Sequence, residues 1–250
     1  MNPKVTIITV CFNAAQTIAN TIESVLGQDY PNLEYIVIDG KSSDKSLEII
    51  NQFQSQISKI ISEPDQGMYD ALNKGIGMAS GDVIGMLNSD DFYVDEHVVS
   101  DMVTAMSSSP GYESGYADLY YVDNKNTDKV IRKWRSGVYK REKFKHGWMP
   151  PHPAFFLRKE AYEKYGGFNL EFKSAADYEL MLRMLYKHKL NAAYLPRYIV
   201  KMRVGGMSNA SLLNRLKANR EDRRAWTVNG LKPGIHTLTF KPLRKLIQYL

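Results

Sequence analysis

Short runs rich in isoleucine and valine alternate with amphipathic segments through the first hundred residues, and this alternation limits the possible folds most strongly. Parallel strands that helices cover on both faces have such continuous apolar runs. Strands are predicted at Val5–Val10, Leu33–Asp39, Ile57–Ser62 and Val83–Leu87, and helices at Ala14–Leu26, Ser43–Phe53 and Met68–Ala79. This order predicts an α/β fold with right-handed crossovers, whose ligands bind beyond the carboxyl ends of the strands.

The second half of the chain is less regular, and we expect it to join the first half in one compact unit without a linker. A hairpin is predicted over Gly115–Trp134 and a strand over Asn191–Val200. Helices are predicted at Arg158–Tyr165, Ala176–His188 and Ser211–Trp226.

Composition excludes several classes of protein. With 44% hydrophobic residues in 250, the chain can build a packed core, so disorder is not expected. No run approaches the roughly 18 apolar residues of a membrane-spanning helix, and the residues before Val5 leave no room for a signal peptide. We therefore expect a cytoplasmic protein. The single cysteine, Cys11, excludes an internal disulfide and a cysteine-based zinc cluster.

Charge is distributed unevenly along the chain. The first hundred residues carry 5 basic and 14 acidic side chains, whereas residues 201–250 carry 11 and 2. A basic tail attracts the phosphates of nucleic acid, of a diphosphate ligand or of an anionic membrane surface. A solvated helix face is the plain alternative. The acidic first hundred residues and the absence of a recognisable motif argue against nucleic acid.

Missing glycines narrow the choice of ligand. The turn after the first strand, Cys11–Ala15, lacks the glycines that wrap a dinucleotide pyrophosphate, and the chain has no P-loop. Asp39 ends the second strand, where its carboxylate could accept from a base N–H or a ribose hydroxyl. A turn or a helix cap is the alternative role for Asp39.

Two adjacent carboxylates, Asp90 and Asp91, follow the buried run that ends at Leu87. They repel each other and are costly to desolvate unless a cation compensates them. Carboxylate oxygens suit Mg²⁺ or Mn²⁺, which complete their shells with water and substrate phosphates. The alternative is that both residues cap a helix starting near Val94.

These residues together resemble the family 2 glycosyltransferases with the GT-A fold, over residues 4–208. Four blocks occur in order within residues 4–92, and a fifth follows later in the chain. The blocks are Phe12-Asn13 after the opening strand; Val37–Gly40 with Ser43-Asp44; Asn73–Ile76 with Ala79–Asp82; Leu87–Asp91; and Gly166–Phe168 with Ala176–Leu180.

The resemblance implies a Rossmann-like, mostly parallel sheet flanked by helices, and a site for a nucleotide-activated sugar. It assigns Thr9, Phe12 and Asp39 to the base pocket. It assigns Asp90 to ribose or metal, and Asp91, most firmly, to the Mg²⁺ or Mn²⁺ ion. Asp70 and Lys74 lie in a block where many relatives place an arginine near the base, and Arg203 lies where a segment could close over the diphosphate. An exposed arginine is the alternative for Arg203.

Asp177 matches the catalytic base of the family, which an inverting transfer needs near the acceptor hydroxyl. His152 and Trp148 fall in a stretch that lines the acceptor entrance in similar enzymes. The alternatives are an ordinary carboxylate at a helix start for Asp177, a hydrogen-bonded structural histidine for His152, and a buried aromatic for Trp148.

The resulting prediction is an inverting glycosyltransferase of a bacterial surface polysaccharide pathway. It would move a sugar, most often from a UDP-sugar in this family, to a glycan or polyprenyl-diphosphate-linked acceptor. A nucleotidyltransferase and a non-catalytic sugar-nucleotide-binding module are the alternatives. Residues 1–92 would bind the donor, and residues 93–208 would bind the acceptor. Residues 209–250 would form a basic helical tail that binds an anionic membrane surface peripherally, packs on the domain or forms a homodimer contact.

Overall fold

The computed structural model describes residues 2–205, 212–234 and 237, with the backbone alone for 212–219. The strands are β1 Val5–Cys11, β2 Leu33–Asp39, β3 Lys59–Ser62, β4 Val83–Asn88, β5 Phe92–Tyr93, β6 Tyr112–Val122, β7 Val130–Trp134, β8 Phe155–Arg158 and β9 Asn191–Arg203. The helices are α1 Ile18–Leu26, α2 Ser46–Gln52, α3 Met68–Met78, α4 Val98–Ser107, α5 Lys159–Tyr165, α6 Ala176–Met181 and α7 Leu212–Val228. A π-helical turn, Leu182–Lys187, continues α6.

All the strands belong to one sheet, in the order β3-β2-β1-β4-β8-β6-β9-β5, with β7 paired to β6. The first four strands in this order are parallel, as predicted. Cys11 lies opposite Asp39 on β2, and Val10 lies opposite Asn88 on β4. The carboxyl ends of these strands therefore meet at one edge, which we call the site edge.

Antiparallel strands of the second half make the sheet mixed, although most of its strands run in the direction of β4, as expected. Strand β8 is antiparallel to both β4 and β6, while β9 is parallel to β6 and antiparallel to β5. A loop with short 3₁₀ turns precedes β8, where a parallel strand would need a crossover connection that is usually an α-helix. Without such a helix, β8 can run antiparallel to its neighbours. Strands β6 and β9 run in the direction of β4, and Arg203 at the end of β9 therefore reaches the site edge.

The core has two apolar layers, one on each face of the sheet. On β1, Ile7 and Ile8 are both fully buried but belong to opposite layers. Helices α3 and α6 cover the layer of Ile8, and α1 and α4 cover the layer of Ile7. Burial on both faces explains the unbroken apolar runs, and the α/β class and the strand positions of the first half are confirmed.

Helix boundaries differ from the predictions by a few residues. Helix α1 begins at Ile18 instead of Ala14, because Ala14–Thr17 forms a turn in which the Ala14 carbonyl accepts from the Thr17 and Ile18 amides. The helix expected near Val94 is absent, since β5 occupies that place and α4 begins at Val98. Asp90 and Asp91 therefore cap no helix.

The C-terminal helix α7 packs on α6. Ala225 and Trp226 are fully buried, and the Trp226 indole N–H donates to the Tyr178 hydroxyl at 2.9 Å. This part of the tail therefore packs on the domain, which is one of the three alternatives expected for residues 209–250. The predicted amphipathic segment around Lys241, Arg244 and Lys245 lies outside the described residues. Among the described residues, every helix is too short or too polar to span a bilayer.

Candidate functional site

The first turns at the site edge are built around Asp39, which is fully buried. Its carboxylate accepts from the Ser42 amide at 3.1 Å, the Ser42 hydroxyl at 2.5 Å and the Ser62 hydroxyl at 2.7 Å. These bonds join the turn that follows β2 to the last residue of β3. In this structure Asp39 therefore fixes the position of the backbone around the expected base pocket, through its bonds to Ser42 and Ser62. Thr9 is also fully buried and accepts from the Tyr35 hydroxyl at 3.0 Å, so its side chain does not face the site, contrary to the expectation.

The aromatic ring of Phe12 directly follows β1 and faces solvent, with 64% of the residue exposed. The backbone of Gly40, which has no side chain, lies beside this ring. A Cβ at Gly40 would stand 2.3 Å from Asp65 Oδ2 and 3.4 Å from the Phe12 ring. An aromatic face and a carboxylate thus flank one strip of backbone, an arrangement that can stack on a base and accept from its N–H. Asp65 was missed, and its only sequence signal was the turn Pro64–Gly67.

Asp70 and Lys74 hold the loop before α3. Lys74 Nζ lies 2.8 Å from both the Pro64 carbonyl and Glu63, and the hydrogen bond to Glu63 raises the pKa of Lys74. Asp70 accepts from the Gln66 amide at 3.0 Å and lies 3.6 Å from Lys74. Both side chains are thus used within the loop that carries Asp65.

The paired carboxylates after β4 have different surroundings. The Asp91 amide donates to the Asn88 carbonyl in a turn, which directs Asp91 inward, and the residue is 1% exposed. Its Oδ2 accepts from the Asn88 amide group at 3.2 Å, whereas Oδ1 has no partner among the described residues. Burial, and then the charge of Asp90, raise the pKa of Asp91 well above its ordinary value.

Asp90 keeps part of its surface open to solvent, although burial raises its pKa too. Of the pair, Asp90 is thus the residue that a cation arriving from solvent can reach. Asp91, the firmest metal ligand expected from the sequence, is instead the more buried of the two, because the turn at Asn88 directs it inward. Its role as a metal ligand stays a prediction.

Arg203 provides a positive charge beside this pair, and it is 8% exposed, so it is not the exposed arginine of the alternative. Its guanidinium donates to the Asp90 carbonyl at 2.5 Å and to Asn20 Oδ1 at 2.9 Å, and lies 4.7 Å from the Phe92 ring centre. Burial lowers the pKa of Arg203, while the charges of Asp91 and Asp90 oppose that shift. An anion at this edge would meet a cation that is already in place.

Asp177 lies in the first turn of α6, with its side chain 18% exposed. Its Oδ2 lies 3.3 Å from His152 Nδ1, and its Oδ1 accepts from the Tyr69 hydroxyl at 3.4 Å. His152 Nε2 lies 3.5 Å from Asn88 Nδ2. His152 therefore bridges the carboxylate on α6 to the end of β4. The sequence alone assigned no individual role to Tyr69 or Asn88.

A small cavity beside Asp177 and His152 has mostly apolar walls, including Met68, Leu72 and Leu180. Apolar walls keep bulk water from one side of the carboxylate. Burial and the charge of Asp177 raise the pKa of Tyr69 well above its ordinary value, so this phenol stays neutral and donates. The arrangement can accept a proton from a hydroxyl group placed at the open side of Asp177.

Trp148 belongs to the core instead of the acceptor entrance. It is 4% exposed, its indole N–H donates to the Ser136 carbonyl at 2.9 Å, and its ring meets Tyr116 edge-on at 5.7 Å. In this conformation the Trp148 ring cannot stack on a sugar. Its position agrees with the alternative of a buried aromatic residue.

The described residues contain no group of three or more histidine, cysteine, aspartate or glutamate side chains that could hold a metal alone. Mg²⁺ is bound through one or two carboxylates with substrate phosphates and water. The partly open Asp90 and the unpartnered Asp91 Oδ1 fit that kind of site.

Comparison with known families gives a match to the model of glycosyl transferase family 2 over residues 6–166. An uncharacterized glycosyltransferase of Mycobacterium tuberculosis is 34% identical over 183 residues, which cover 72% of this chain and 68% of the relative.

Two solved structures share the fold. Staphylococcus aureus TarS 1–349 in complex with UDP-GlcNAc superposes with a TM-score of 0.70 at 16% identity, covering 90% of this chain and 65% of that one. The mannosyltransferase PcManGT from Pyrobaculum calidifontis, in complex with GDP-Man and Mn²⁺, has a TM-score of 0.66 at 16% identity, covering 96% and 69%. The chain therefore spans about two thirds of each.

Proposed function

The chain belongs to glycosyl transferase family 2, and from the geometry of its site we propose that it transfers a sugar from a nucleotide diphosphate donor to an acceptor hydroxyl with inversion. The observation that carries this proposal is the juxtaposition at the site edge. An exposed aromatic ring, a carboxylate pair with a buried arginine, and a further carboxylate backed by apolar walls all lie along it.

In the proposed reaction, the Asp177 carboxylate takes the proton of the acceptor hydroxyl while that oxygen bonds to the anomeric carbon. The bond from the anomeric carbon to the diphosphate oxygen breaks, and the nucleoside diphosphate leaves with the electron pair. Attack on the face opposite the leaving group inverts the anomeric configuration. His152 at 3.3 Å and the Tyr69 hydroxyl at 3.4 Å orient Asp177 for this step.

A divalent cation would be held by Asp90, and the more deeply buried Asp91 would add its negative charge next to it. When bound, Mg²⁺ or Mn²⁺ neutralises charge on the leaving diphosphate. The Mn²⁺ in the PcManGT structure supports this part of the proposal. Arg203 adds a second, fixed positive charge at the same place.

We propose that the base of the donor stacks on Phe12 beside Asp65. A UDP-sugar is the first donor to test, because TarS binds UDP-GlcNAc, and a GDP-sugar is the second, because PcManGT binds GDP-Man. The acceptor would enter on the side of His152 and residues 93–208. A glycan or lipid-linked glycan, in a bacterial surface polysaccharide pathway, stays the predicted setting.

Asp177 and the turn after β1 separate this function from the two alternatives. A non-catalytic binding module has no use for a carboxylate aligned by His152 and Tyr69. A nucleotidyltransferase would need a basic, glycine-rich turn for a triphosphate after β1, where this chain has Cys11–Ala15.

A thermal-shift panel tests the proposal. UDP-GlcNAc, UDP-glucose and GDP-mannose are added with Mn²⁺ or with EDTA. A donor at 100 times its Kd stabilises the native state by about 2.7 kcal/mol, or about 5 to 10 °C for a chain of this size. We expect one sugar nucleotide to raise the melting temperature with Mn²⁺ and much less with EDTA. No shift with any sugar nucleotide would contradict the proposal.

A further inference from the structure

The C-terminal helix α7 contacts the segment that carries Asp177, starting with the loop before α6. Glu221 Oε1 accepts from the Lys173 amide at 3.1 Å, and Oε2 accepts from the amides of Ser174 at 2.8 Å and Ala175 at 2.9 Å. The Ser174 hydroxyl adds a bond of 3.0 Å to the same carboxylate. The Glu221 carboxylate thus accepts from three successive amides, and the last of them, the Ala175 amide, is two residues before Asp177.

Two further contacts hold the residues directly after Asp177. Trp226 Nε1 donates to the Tyr178 hydroxyl at 2.9 Å, and Asn229 Nδ2 donates to Glu179 Oε1 at 2.9 Å. Tyr178 and Trp226 are at most 1% exposed. Helix α7 therefore contacts the chain on both sides of Asp177, and the bonds of Trp226 and Asn229 are shielded from competing water.

Local sequence alone does not place this turn. Helix α6 has six residues, and the residue before it is Ala175, whose side chain cannot cap the helix. The amides of Lys173, Ser174 and Ala175 precede α6 and lie outside its hydrogen-bonding pattern, and Glu221 is their acceptor. Burial alone would raise the pKa of Glu221, but the Lys173 and Ser174 amides outweigh it and lower the pKa below its ordinary value. The carboxylate therefore stays charged at neutral pH.

We infer that Glu221 is a positioning residue for the transfer reaction: it holds the loop that sets the position of Asp177. This inference rests on the proposed role of Asp177 as the base. The family match ends at residue 166, so both the base and the helix that positions it lie beyond the matched part. Catalysis in this chain would thus depend on α7, although α7 has no place in the chemistry itself.

The test compares Glu221→Gln with Glu171→Gln. Glutamine has one acceptor oxygen where glutamate has two, so the variant cannot satisfy all three amides. Glu171 is the matched control, because it joins the same two elements through Arg224, but with side chains that are 64% and 47% exposed. Each variant is measured by amide hydrogen exchange, by the Kd for UDP with Mn²⁺, and by UDP release from UDP-GlcNAc.

For Glu221→Gln we expect faster exchange in residues 171–179, with exchange in β1–β4 unchanged. We expect turnover to fall roughly 10-fold with the UDP Kd within about twofold, since the donor pocket is built by other elements. Glu171→Gln should match the wild type in all three measurements. Unchanged exchange, or unchanged turnover despite faster exchange, would overturn the inference. So would an equal fall in UDP affinity, which would indicate a general structural role.

The double variant Glu221→Gln with Asp177→Asn separates this inference from the proposed function. If Glu221 acts through the base, the double variant should be no slower than Asp177→Asn alone. A further loss of about 10-fold in the double variant would mean that Glu221 acts by another route, and would overturn the inference while the base stands. Full activity of Asp177→Asn would instead refute the proposed base, whatever Glu221→Gln does.

Discussion

Replacing Glu34 by glutamine should remove a buried charge that ties the sheet together at the edge opposite the site. Glu34 is 4% exposed, and its carboxylate accepts from the Thr6 hydroxyl at 2.6 Å, the Ser80 amide at 2.8 Å and the Ser80 hydroxyl at 2.7 Å. The ammonium groups of Lys4 and Lys59 lie 3.6 and 3.8 Å away. These contacts join β1, β2 and the loop that leads into β4.

The size of the effect follows from the pKa of Glu34. Burial alone would raise it, but the hydrogen bonds from Thr6 and Ser80 lower the pKa from 4.5 to about 2. That difference corresponds to about 3 kcal/mol of folding free energy at pH 7. Because the folded pKa is below the unfolded one, the contribution is complete well above pH 4.5 and is lost as the pH falls toward 2. At pH 3 about half remains.

Urea unfolding of wild type, Glu34→Gln and Glu163→Gln at pH 7 and pH 3 measures this contribution. We expect Glu34→Gln to lose about 3 kcal/mol at pH 7 and about half of that at pH 3. The control residue Glu163 lies 3.6 Å from Lys159 with its side chain 62% exposed, so its replacement should change little. An equal loss from Glu34→Gln at both pH values would refute the reasoning, because it would show that shape and not charge carries the effect.

Two predictions concern the donor pocket, both read by calorimetric titration with UDP. Phe12→Ala should weaken UDP binding by the 1–3 kcal/mol typical of a base stacked on an aromatic ring, whereas Val138→Ala, at an equally exposed apolar residue, should not. Equal affinity of Phe12→Ala and wild type would exclude stacking on this ring. Asp90→Asn should weaken Mn²⁺-dependent UDP binding by at least about 10-fold and by more than Asp91→Asn does. The opposite order would return the metal contact to Asp91.

The strands of the first half were predictable because burial on both faces leaves a clear signal, a short run of branched apolar residues. The direction of the later strands was not, since β8 follows a loop whose residues do not encode a direction. Asp177 was singled out through the motif around it and its place near the start of a predicted helix, and its role as the base stays a prediction.

Side-chain direction within turns was much less predictable. The sequence shows two carboxylates after β4, but the hydrogen bond from the Asp91 amide to the Asn88 carbonyl decides which one faces inward. Trp148 lies in a stretch without periodicity, so its burial in the core had no local signal. Glu221 lies far from Asp177 in sequence, and only the packing of α7 on α6 brings them together.

Asp177→Asn tests the central claim most directly, because the amide keeps the shape of the side chain and removes its capacity to accept a proton. Turnover is followed as nucleoside diphosphate release from the sugar nucleotide that stabilises the protein in the thermal-shift panel, and donor affinity is followed by titration with UDP and Mn²⁺. We predict that turnover falls by about 100-fold or more while the UDP Kd stays within about twofold. Unchanged turnover, or a loss of UDP affinity as large as the loss of turnover, would contradict the assignment of Asp177 as the base.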